Sequence, residues 1–179
     1  MRLRLPCVAM LMATAVACSN DMETVQLFDH QMLPEQRINK AVVTRSEHGL
    51  VQMRLEAPLV ERYGEPNPKV EYPEGVTIFF YDDSSQLKAF LRANYAVSLE
   101  TKHRMEARDS VVIIDYRSGD TSYLDDIVWL QYEQRIFSEH PLRSVNGTRV
   151  TYGDGFESDE SFTNLTIMHQ RGTIEWQEE

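Results

Sequence analysis

Between residues 87 and 99 the chain reads LKAFLRANYAVSL, and its odd positions are Leu87, Ala89, Leu91, Ala93, Tyr95, Val97 and Leu99. The even positions, Lys88, Phe90, Arg92, Asn94, Ala96 and Ser98, are mostly polar or small. Successive side chains on a β-strand point to opposite faces, so a period of two makes one apolar face and one wetter face. Held straight, such a strand would run roughly 43 Å at ~3.3 Å per residue, longer than most strands of globular domains. It is expected either to bend or to divide near Ala93 and Asn94. A helix fits less well, because the stripe begun by Leu87, Phe90 and Leu91 then meets Asn94 and Ser98.

The neighbouring segments repeat the pattern. Val51, Met53, Leu55, Ala57 and Leu59 alternate with Gln52, Arg54 and Glu56, and Gly64, Pro66, Pro68 and Pro73 then force a loop. The run VTIFFY at residues 76–81 is β-branched and aromatic, and Asp82-Asp83-Ser84-Ser85 turns it. Short strands are expected at 105–107, 111–116, 127–130, 135–138, 142–145, 149–152, 162–169 and 173–176. Asn146-Gly147 is a hairpin signal among them. Nothing reads as a long helix. The sequence predicts an all-β domain over residues 41–179, elongated and stacked rather than a compact sandwich.

Residues 1–17, MRLRLPCVAMLMATAVA, have the form of a secretory signal: two arginines, an apolar run too short to cross a bilayer, and small residues at its end. Cys18 follows Ala15-Val16-Ala17, a sequence similar to a bacterial lipobox, in which the cysteine becomes the lipidated first residue. Cys7 lies in the removed segment, so no disulfide is expected in the mature chain. Residues 18–40 are polar and weakly patterned, the composition of a tether.

Cleavage removes Arg2 and Arg4 and no acid, leaving the mature chain more acidic than the formal −10 of the whole. That balance argues against nucleic acid and against a basic patch held on anionic lipid. Contact with the membrane is expected through Cys18. Catalytic signals are thin. His30, His48, His103, His140 and His169 lack metal-ligand spacing, and Asp82-Asp83 and Asp125-Asp126 suit turns better than acid/base pairs. Gly153-Asp154-Gly155 lacks the strand–turn–helix setting of a dinucleotide fingerprint. The chain is read as a non-enzyme with no metal and no cofactor.

The C-terminal half carries a family resemblance. Ser110-Val111, the run LDDIVWLQYEQRIFSEHPLRSV from Leu124, and GTRVTYGDGFESDESFTNLTI from Gly147 resemble the LptC-like periplasmic proteins of lipopolysaccharide export, in their Bacteroidetes-type lipoprotein form. Leu124 and Trp129 fill the family's Leu-x-x-x-x-Trp places, followed by Ile136 and Ser138. Gly153, Gly155, Phe156 and Ser158 fill its Gly-x-Gly-Phe-x-Ser box. The family's Ser-Asp is Ser138-Glu139 here and its Trp-Asp is Trp129-Leu130.

The resemblance implies a twisted, open antiparallel β-jellyroll, two sheets folded like a taco over an apolar interior. Such a protein sits on the periplasmic face of the inner membrane, anchored by its lipid. It receives lipopolysaccharide from an inner-membrane ABC transporter with jellyroll domains and passes it to a periplasmic bridge jellyroll protein. The expected groove lining is Leu87, Leu91, Tyr95, Val97, Ile113, Trp129, Ile136, Phe156 and Ile167. Partners are expected to add strands to the open sheet edges. The transporter is expected at Ala41, Val43 and Arg45, and the bridge protein at Leu165 and His169, with Gly153 and Gly155 allowing close backbone approach. The alternative is a lipid-anchored β-sandwich that binds a glycan or a protein, with exposed aromatics on its convex face.

Overall fold

The fold is seen in a computed structural model that describes residues 33–160, 162 and 164–175. The predicted signal segment, Cys18, residues 19–32 of the predicted tether and Trp176 lie outside the described residues.

The described chain is almost entirely β-strand: β1 (Gln36–Glu47), β2 (Leu50–Tyr63), β3 (Lys69–Tyr72), β4 (Val76–Tyr81), β5 (Leu87–Ala93), β6 (Tyr95–Leu99), β7 (Arg104–Asp115), β8 (Asp120–Leu130), β9 (Arg135–Asn146), β10 (Arg149–Asp159), β11 (Thr166–Ile167) and β12 (Gly172–Glu175). One 3-10 turn, Glu100–Lys102, joins β6 to β7. Every pairing is antiparallel, and all twelve strands form one continuous sheet. The first strand begins at Gln36 rather than at Ala41, so the end of the predicted tether belongs to the domain.

The long strands are all interrupted at the same height. In β1, Lys40 (φ 53) faces Pro58 of β2, which has no N–H to give. Gly75 (φ 91) separates β3 from β4, and Asn94 separates β5 from β6. The register of β7 on β8 slips between Arg108 and Val111, where Asp109 and Ser110 have φ of 64 and 61. The slip passes to β8 between Leu124 and Val128, and to β10 between Asp154 and Phe156, around Gly155 (φ 116). Bulges of this kind bend a strand. Aligned across neighbours, they crease the sheet into one half containing β4 and β5 and another containing β3 and β6.

Each bulge also shifts which residues face inward. On β8, Ser122 and Leu124 are buried before the crease, and Ile127 and Trp129 after it. The extra residue lets Asp125 and Asp126 leave the core. Inward side chains of both halves, from Met53, Ile78 and Leu91 to Met105, Trp129 and Phe156, then join a single buried cluster. Each large apolar side chain so buried contributes roughly 1.5–3 kcal/mol. Two contacts tie the halves together away from the crease: Phe80 on β4 packs on Phe162 with ring centroids 4.8 Å apart, and Arg45 on β1 pairs with Glu160 beyond β10 at 2.5 Å.

Two expectations are corrected. The alternation from residue 87 to 99 divides at Asn94, one of the two expected outcomes, but its phase reverses there instead of continuing. Leu91 and Ala93 are buried, but on β6 it is Ala96 that is buried. Tyr95 and Val97 stand on the other face, beside Arg108 and Glu106. Of the strand predicted for 162–169, the described residues keep only Thr166–Ile167, because Phe162, with φ of 53, turns into the core instead, and Thr163 lies outside the described residues.

Candidate functional site

Of the predicted lining, Leu91, Ile113, Trp129, Ile136 and Phe156 are buried in the common core, and Ile167 packs against it partly exposed. Leu87 is half-buried at the start of β5 but does not pack against that core, because a register slip in the pairing with β4 sets it opposite Tyr81 while Ala89 faces Phe80. Tyr95 and Val97 do not belong to this set. The Tyr95 ring lies under the Arg108 guanidinium, 4.3 Å from its centroid. Burial, then the nearby Glu71 carboxylate, hold its phenol above the ordinary tyrosine range. The lining residues brought together come from β5, β7, β8, β9 and β10. They are in contact with one another rather than around open space: Phe156 has 0% of its surface exposed, and Ile113 and Ile136 1% each.

The interior surface reaches solvent at β1. Register sets Ile38 opposite Val60, Ala41 opposite Ala57 and Val43 opposite Leu55, all core-facing partners. Ile38, Ala41 and Val43 therefore lie on the inner face, yet Ile38 is 43% and Val43 52% exposed. Nothing among the described residues pairs with the far side of β1, so its N–H and C=O groups form an open edge. A hollow of ≈ 350 Å³ opens beside it, lined by Arg45, Gln52, Phe80, Lys88 and Glu160 among others. Desolvation, then the neighbouring Arg117, lower the Lys88 ammonium pKa below its ordinary value. Further along β1, Arg37 Nε donates to Glu61 at 2.7 Å, and the Tyr63 hydroxyl donates to the same carboxylate at 2.9 Å. Those two hydrogen bonds hold Glu61 below the usual carboxylate range.

The opposite edge is built from β11 and β12, which cover successive parts of β10. Leu165 is partly buried and His169 is exposed, its Nδ1 3.1 Å from the Asp154 carbonyl. Arg171 pairs with the Asp154 carboxylate. Gly153 has a steric reason to be glycine. A Cβ there would lie 2.4 Å from Ile167 Cγ2 and 2.8 Å from the Met168 carbonyl oxygen. Gly155 supplies the positive φ of the crease and receives the Met168 N–H on its carbonyl at 2.8 Å.

Some features were not readable from the sequence. Ser122 and Ser144 bond to each other inside the core at 3.1 Å. Ser138 donates to Asp126 at 3.0 Å, and His140 Nδ1 lies 2.6 Å from the same carboxylate oxygen. The serine thus engages the acid rather than the imidazole, which is not the arrangement that activates a nucleophile. The Asp126 hydrogen bond, reinforced by its charge, raises the His140 pKa. Among the described residues no group of histidine, cysteine and carboxylate could hold a metal ion, and no helix is long and apolar enough to cross a membrane.

In comparisons with protein families and with curated proteins, nothing matches this chain.

Proposed function

We propose that the domain is an LptC-like carrier in lipopolysaccharide export, a lipid-anchored β-jellyroll folded like a taco. It takes the lipid from an inner-membrane ABC transporter and hands it to a periplasmic bridge protein. The observation that carries this reading is the crease. One sheet folded on itself buries a continuous apolar face from both halves, and that face emerges at the lip formed by Ile38 and Val43.

The chemistry is permissive. An acyl chain leaving a bilayer for this interior exchanges one apolar surrounding for another, so the ~0.8 kcal/mol per methylene largely cancels. No Walker-type phosphate loop occurs in the sequence, so energy and direction come from the partner. The packed core is the unloaded state, and loading parts the halves. Partners add strands at β1 and at β11–β12, which brings their interiors into line with this one.

The reading is tested by photo-crosslinking in cells, with a benzophenone amino acid placed singly at Val43, Ile136 or Tyr95. Val43 and Ile136 should capture lipopolysaccharide, and Tyr95, on the outer face, should not. Equal capture at all three, or none from folded protein, would remove the proposal.

A second reading has one observation in its favour. Register places Tyr123, Arg143 and Tyr152 side by side on the outer face, with the Arg143 guanidinium 4.6 Å from the Tyr123 ring centroid. They border a hollow of ≈ 420 Å³. Exposed aromatics in a row beside a cation suit a lipid-anchored sandwich that binds a glycan or a protein. The first reading is preferred because Arg143 already occupies one face of the Tyr123 ring.

A further inference from the structure

Two polar groups stand inside the core with nothing to bond. The Trp129 indole N–H and the Ser158 hydroxyl are buried without a hydrogen-bond partner among the described residues. Trp129 is 6% exposed and Ser158 1%. The other buried serines behave differently, since Ser122 bonds Ser144 and Ser138 bonds Asp126. Buried polar groups are nearly always satisfied, so two orphans in one core call for a reason.

Their placement supplies one. Trp129 is the cross-strand partner of Ile136, and Ile136 is the partner of Ser158. Met105 precedes them, opposite Trp129. The four side chains form one row on the inner face, with Trp129 and Ser158 two strand spacings apart, roughly 10 Å between backbones. Ile136 and Met105 supply hydrocarbon contact beside the two polar groups.

We propose that this row is a subsite for an acyl chain that carries an uncharged oxygen, a hydroxyl or an ester carbonyl. The inference rests on the lipid-carrying reading and adds a chemical preference to it. The indole N–H is a donor only and requires an acceptor, whereas the serine hydroxyl both gives and accepts. A charged oxygen is disfavoured, because among the described residues no cation is buried in the core and an unpaired charge is costly in an apolar interior. The chain's methylenes lie along Ile136 and Met105, and its oxygen takes the bond that the free protein leaves unmade.

The test compares octadecanoic acid with 3-hydroxy- and 12-hydroxyoctadecanoic acid, titrated calorimetrically into the full chain. At least one hydroxy acid should bind roughly fivefold tighter than the plain acid, the scale of one net hydrogen bond. W129F and S158A should each bring that ratio toward one. S158A should not lower the melting temperature of the free protein, because it removes an unmet hydroxyl rather than a bond, whereas W129F also takes ring volume from the core and lowers it. Equal binding of all three acids overturns this inference alone. Binding of none overturns it together with the lipid-carrying reading. Loss of melting temperature in S158A without any change in the ratio assigns its hydroxyl to structural water and also overturns the inference.

Discussion

Arg45, near the end of the first strand, forms a 2.5 Å ion pair with Glu160, just past the long tenth strand. The two residues lie on opposite halves of the creased sheet and near opposite ends of its strand order. Beside them Phe80 meets Phe162. The polar pair is half open to water on the Arg45 side, whereas the aromatic pair is buried. Closure of the halves is therefore held mainly by apolar contact, with the ion pair fixing alignment.

R45Q is expected to cost about 1–2 kcal/mol of stability, because the Glu160 side chain, only 14% exposed, exchanges a cation for an amide. It should nevertheless speed the entry of a fluorescent lipid, since one of the links between the halves is gone. Urea unfolding and stopped-flow fluorescence measure the two effects separately.

F162A is expected to cost about 3–5 kcal/mol, the range for removing a buried phenylalanine. Phe162 has no exposed surface, and its loss also empties the space against Phe80. The shift in urea midpoint measures it. A change below about 1 kcal/mol would mean that Phe162 does not close the core.

G153A should detach the short eleventh strand. The new methyl would press on Ile167 and on the Met168 carbonyl, which is backbone and has little room to yield. Hydrogen exchange at the Met168 amide, which donates to the Gly155 carbonyl at 2.8 Å, should accelerate, while amides of the fourth and fifth strands keep their protection.

The pairing of His140 with Asp126 makes a pH-dependent prediction. Because the folded pKa is raised above 6.5, the stabilisation it brings is complete below that value and is lost as pH rises through the folded pKa. Asp125 and Glu139, the other charges near the imidazole, push in the same direction. NMR titration of the His140 ring should give a midpoint above 6.5, and D126N should bring it back toward that value.

The strand content was legible because alternation survives in short windows, as in Val76–Tyr81, where every second residue is buried. The continuity of the strands was not. Asp109-Ser110, Asp125-Asp126 and Glu139-His140-Pro141 carry the composition of turns, so β7, β8 and β9 each read as shorter pieces. They are bulges in the crease, where polar residues are expelled while the chain runs on. The same crease explains Tyr95 and Val97, since one inserted residue moves every later side chain to the other face. Ala96 was concealed by its size: a small residue in a polar register reads as outward even when it is wholly buried. The core positions Leu91, Ile113 and Ile136 were visible because each lies in a run that alternates undisturbed around it, whereas Phe156 directly follows the slip in β10 and was marked only by the Gly-x-Gly-Phe-x-Ser box. Register alone exposes the link between Trp129 and Ser158, which are 29 residues apart in sequence and meet only through Ile136.

The central claim is that acyl chains lie between the two halves on the inner face. The direct measurement is methyl NMR of the protein loaded with a fatty acid that bears a nitroxide on its chain. Signals of Ile113, Ile136 and Leu91 should broaden strongly, while Val112 and Ile174, on outer or edge positions, stay sharp. Broadening confined to Val112 and Ile174, with the three inner residues unchanged, would contradict the account.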